Sequence, residues 1–67
     1  MRGNRWLEVG GRHFLADEIT GFWMDGAFRG VWLMLRGGTE VFVDAELRVD
    51  AERMEAHLRR ELTGRES

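Results

Sequence analysis

The chain contains no cysteine and no proline. No disulfide can staple the fold, and two histidines on their own do not make a metal cluster of the usual Cys/His kind. Lysine, tyrosine and glutamine are missing too, so all ten basic residues are arginine. Arginine suits bidentate recognition of phosphate or carboxylate, although a GC-rich genome produces the same bias without any ligand. Long apolar runs are also absent: Val31-Trp32-Leu33-Met34-Leu35 falls far short of the roughly 20 residues that span a bilayer. No basic segment followed by an apolar one opens the chain, so a cytoplasmic location with no membrane association is the expectation. A formal net charge of −2 argues against a dedicated nucleic-acid binder, whose domain is usually basic.

What remains is a chain of 67 residues, 43% hydrophobic and 33% charged, the balance of a folded domain and not of a disordered segment. A single small domain, 1–67, is expected, with residues 1–4 and 64–67 frayed. A chain of this length buries only about 60% of its unfolded surface. With disulfides and metals excluded, association with another chain is the remaining source of stability.

The richest segment is Val31 to Val43, which reads as a β-hairpin turning at Gly37-Gly38. A two-residue turn there pairs Arg36 with Thr39, Leu35 with Glu40, Met34 with Val41, Leu33 with Phe42 and Trp32 with Val43. One face would then carry Trp32, Met34, Val41 and Val43, and the other Val31, Leu33, Leu35 and Phe42. Neither face shows the in/out alternation of a sheet with one wet side. A one-residue slip would exchange the faces of one strand.

Arg5 to Val9, Gly10-Gly11 and Arg12 to Ala16 repeat this design, with glycines supplying the positive φ angles of a type I′ turn. Trp6 should oppose Leu15, Leu7 should oppose Phe14, and Glu8 should lie beside His13. A third strand is expected near residues 19–24, followed by an Asp25-Gly26 turn and a strand from Arg29 to Arg36. Within that strand, Gly30 marks a bulge or a close backbone approach.

Asp50 reads as the cap of a C-terminal helix, with Val49 and Met54 as its hydrophobic staple. Ala51, Met54, Leu58 and Leu62 make one narrow apolar stripe, Glu55 and Arg59 are spaced for an i,i+4 ion pair, and Gly64 ends the helix. The expected fold is α+β: an antiparallel β-meander of four to five strands with one C-terminal α-helix packed on one face. That helix can cover only one of two apolar faces.

No catalytic motif is present. His13, Asp17, Glu18 and His57 match no ligand or acid/base spacing, and the Gly-Gly pairs lack the following helix N-terminus that would cradle a phosphate. No catalytic, cofactor-binding or metal-ligating residue is therefore assigned, and a non-enzyme is expected. Tryptophan is the residue type most enriched at interface centres. The expected function is a protein-interaction module that self-associates, as a homodimer, through an apolar sheet face carrying Trp6, Trp23, Trp32, Met34, Val41 and Val43. Another protein is the other partner considered. The alternative is a nucleic-acid-binding regulator that uses Arg12, Arg29 and Arg36 around an aromatic sheet surface.

The run from Asp17-Glu18-Ile19 through the Val31–Leu35 strand, Gly37-Gly38, the Val41–Val43 strand and a capped helix resembles the strand-strand-helix pattern of LytTR-type DNA-binding domains. It is also similar to small bacterial proteins of the same layout. The likeness covers about two-thirds of the chain. It implies DNA contact through further strands and carries over no site residue.

Overall fold

A computed structural model describes residues 5–63, and the ends expected to fray, with the helix stop at Gly64, lie outside that span. The elements run β1 (Trp6–Val9), β2 (Arg12–Leu15), a 3-10 turn (Ala16–Glu18), β3 (Ile19–Met24), β4 (Gly30–Leu35), β5 (Glu40–Asp44) and α1 (Arg48–Thr63). All pairings are antiparallel, so the α+β layout holds. The meander of four to five strands holds only in part. The strands form two sheets, a β1–β2 hairpin and a three-stranded β3–β4–β5 meander.

The first hairpin folds as its sequence dictates. Gly10 and Gly11 take φ of +61° and +84°, both central positions of a type I′ turn. Trp6 then faces Leu15, Leu7 faces Phe14 and Glu8 faces His13.

The second Gly-Gly pair behaves differently. Leu35 N–H donates to the Thr39 carbonyl and Gly38 N–H to the Leu35 carbonyl, so the loop holds Arg36, Gly37 and Gly38 instead of two glycines. Each β5 residue consequently pairs one place away from the two-residue expectation: Val31 with Val43, Trp32 with Phe42, Leu33 with Val41 and Met34 with Glu40. The physical reason lies in the charges. β5 reads Glu-Val-Phe-Val-Asp, and the expected register would have turned Glu40 and Asp44 toward the core, stranding two carboxylates away from water. The longer loop keeps both exposed and turns Val41 and Val43 inward.

The inner face of the meander therefore carries Phe22, Met24, Val31, Leu33, Leu35, Val41 and Val43. Two elements cover it. Ala51 and Leu58 of α1 are fully buried, with Met54 and Leu62 half-buried in the expected stripe, and the helix lies over β3 and β4. Leu7 and Val9 of the first hairpin join the same core, and Gly10 at its tip packs against Val43 and Met54. The Arg5 guanidinium reaches across to α1, donating to Glu61 Oε1 at 2.7 Å and to the Glu61 carbonyl at 2.9 Å.

The helix begins two residues before its expected cap. Asp50 and Ala51 N–H groups both donate to the Leu47 carbonyl, which places Asp50 inside the first turn, where its charge still favours the positive end of the helix dipole. The i,i+4 pair Glu55–Arg59 forms as spaced, joined by Arg48–Glu52 at 3.1 Å. Gly30 turns out to be a close approach. A side chain there would land on the Val43 carbonyl oxygen and crowd Asp44 Cα, while the bulge falls at Thr20, between Ile19 and Gly21.

Candidate interface on the outer sheet face

Side chains alternate across a strand, so burying one face of β3–β4–β5 turns Trp23, Trp32, Met34 and Phe42 to the other. The buried residues of the helix and the first hairpin, Ala51, Leu58, Leu7 and Val9, pack on the inner side. The register places Trp23, Trp32 and Phe42 abreast on three neighbouring strands. The Trp23 and Trp32 rings lie 6.3 Å apart at only 9° to each other, and Phe42 tilts against Trp32 at 4.9 Å. Trp23, on the outermost strand, is 41% exposed, while Trp32 and Phe42 are half-buried.

A carboxylate fixes the middle of the row. Trp32 Nε1–H donates to Asp25 Oδ1 at 3.1 Å, and Asp25 Oδ2 accepts the Ala27 N–H at 3.0 Å. Phe28 N–H donates to the Asp25 carbonyl at 2.9 Å. One residue thus organises the β3–β4 loop and sets the angle of the central indole. The Trp32 hydrogen bond and then the Ala27 amide hold the Asp25 carboxyl below its ordinary value, against an opposing effect of desolvation, with the Arg29 amide and charge adding less.

Beyond Phe42 the face runs into an open groove of about 450 Å³ lined by Phe28, Arg29, Phe42, Asp44, Ala45 and Glu46. Phe28 is 37% exposed, and the Arg48 guanidinium sits 3.9 Å above its ring. Both signs of charge occur at this end, Arg29 and Arg48 with Asp44 and Glu46.

The candidate interface residues thus separate into three groups. Trp23, Trp32 and Met34 share the outer face as expected, and Phe42 joins them. Val41 and Val43 belong to the inner face, with Val43 only 1% exposed, which corrects their assignment to an interface. Trp6 lies in the other sheet, 61% exposed, so the three tryptophans do not share a face. The signal that separates Phe42 from the two valines was already present in β5: Phe42 keeps company with Glu40 and Asp44 on the wet parity of that strand.

The three arginines considered for nucleic acid are not gathered on one surface. Arg12 donates from Nη1 to the Phe42 carbonyl at 3.2 Å, along the outer edge of β5, and its guanidinium lies 5.6 Å from the Phe14 ring. Arg36 is committed to the 3-10 turn, its side chain to the Asp17 carbonyl at 2.8 Å and its N–H to the Glu18 carbonyl at 2.7 Å. Arg29 is exposed at the opposite end of β4. His13 stands on β2, Asp17 and Glu18 in the 3-10 turn, and His57 on α1. Among the described residues, no group of three or more His, Asp or Glu side chains is placed to hold a metal, and no helix is long and apolar enough to cross a membrane.

Compared with known proteins, the chain matches no family model, no curated protein and no solved structure.

Proposed function

We propose that this chain is a non-enzymatic interaction module that self-associates through the outer face of its three-stranded sheet. The observation that carries the reading is the Trp23–Trp32–Phe42 row, held in place by Asp25 on a face that both covering elements leave open. Large aromatic side chains anchored by a polar partner are the usual centre of a protein interface. A second copy is the favoured occupant because the surroundings of the row carry both signs, Arg29 and Arg48 against Asp44 and Glu46, so a two-fold contact can match each sign with its opposite.

Sedimentation across micromolar concentrations tests this directly. A dimer that Trp32→Ala weakens while circular dichroism stays native supports the reading. A monodisperse monomer at every concentration removes it. If that monomer binds single-stranded DNA or RNA with an affinity that falls steeply with salt, the LytTR-like and sheet-platform reading takes its place. The commitment of Arg12 and Arg36 to backbone carbonyls favours the protein partner.

A further inference from the structure

The two edges of the meander are not equivalent. β5 is guarded: Arg12 occupies the Phe42 carbonyl on its outer edge, Glu40 and Asp44 bracket the strand, and the tip of the first hairpin packs at Val43. These are recognised devices against edge pairing. β3 has no such guard along its regular stretch from Gly21 to Met24, its bulge lying earlier, at Thr20. It reads Ile-Thr-Gly-Phe-Trp-Met, with no charged residue along its length.

The ladder shows which groups that edge presents. Asp25 N–H donates to the Gly30 carbonyl, and bonded pairs alternate along an antiparallel ladder, so Trp23 bonds with Trp32 and the intervening Phe22 and Met24 turn their N–H and C=O outward. Among the described residues nothing accepts from or donates to those outward groups. Two donors and two acceptors therefore stand in a short row at the exposed margin of the aromatic face.

The geometry points to antiparallel pairing of β3 with β3 of a second copy. This rests on the self-association reading and locates the contact: the partner extends the sheet at the β3 margin of the aromatic face, joining the two outer faces side by side. Antiparallel pairing of a strand with itself is two-fold symmetric, so Phe22 N–H and C=O meet Met24 C=O and N–H of the other copy, and the reverse pair follows by symmetry. Trp23 then lies directly opposite its own copy at a non-hydrogen-bonded position, with Cα atoms about 4.5 Å apart. The aromatic row becomes continuous across the dyad, from one Phe42 to the other. With β3 uncharged, a chain of net charge −2 meets itself here without apposing carboxylates, as β5 against β5 would do.

Amide hydrogen exchange on the whole chain, read residue by residue over a concentration series, is the test. The Phe22 and Met24 amides are expected to slow by about tenfold or more as the dimer forms. In parallel, Trp23→Cys introduces the chain's only thiol, and at the expected separation it forms a disulfide-linked dimer under mild oxidation. Phe42→Cys, at the far strand, does not. A dimer in which the two amides keep exchanging freely and Trp23→Cys stays reduced overturns the edge contact while leaving self-association through the face intact. A monomer at all concentrations overturns both.

Discussion

Gly30 shows how much a single hydrogen in place of a side chain decides in this fold. Its backbone meets β5 so closely that a methyl group would overlap the Val43 carbonyl oxygen, a rigid neighbour that cannot rotate away. Gly30→Ala is expected to cost about 1–3 kcal/mol in urea unfolding, as overpacking does. Gly26→Ala, with open space around it, should stay within about 0.5 kcal/mol of the parent. Asp25 acts at the same scale through charge. Its carboxyl is held below an ordinary value of about 3.8, so its stabilising contribution is complete above that pH and disappears as pH falls through the lower folded value. Denaturation midpoints should therefore drop below about pH 4 in the parent and change less there in Asp25→Asn, which has no carboxylate to protonate. Trp32 fluorescence should shift across the same window, because its indole loses its acceptor.

Among the elements, α1 carries the firmest prediction. Leu58 is fully buried at the centre of the helix stripe, and Leu58→Ala should cost about 2–5 kcal/mol, a large share of what a domain this small possesses. Val49→Ala, on the exposed side of the first turn, should be close to neutral by the same urea titration. The helix stripe was legible in the sequence because helical spacing admits few alternatives, and so was the first hairpin, whose two positive-φ glycines fit one turn type. The β4–β5 register was not read correctly, because a Gly-Gly pair serves equally in a two-residue turn and at the end of a three-residue loop. The arbiter was the alternation of β5 itself, where Glu40 and Asp44 share a parity with Phe42. The place of the first hairpin beside the helix, over the same sheet face, left no mark in the local pattern. It depends on approaches between distant residues such as Gly10 and Met54, which periodicity does not encode.

At the scale of the whole molecule, the proposed self-association would tie stability to concentration. A thermal midpoint that rises with protein concentration is expected for the parent and should flatten in Trp23→Lys, which sets two like charges opposite each other at the dyad. The guarded edge of β5 determines what kind of assembly can result. A sheet that can grow from one side only closes on itself at two copies, whereas one open on both sides has no such limit. In the proposed assembly, Arg12 at the Phe42 carbonyl would block the edge from which a second round of pairing could start. Arg12→Ala, though it alters no ring of the aromatic row, should convert a discrete particle into one that elongates, visible as slow thioflavin-positive fibril growth that the parent lacks.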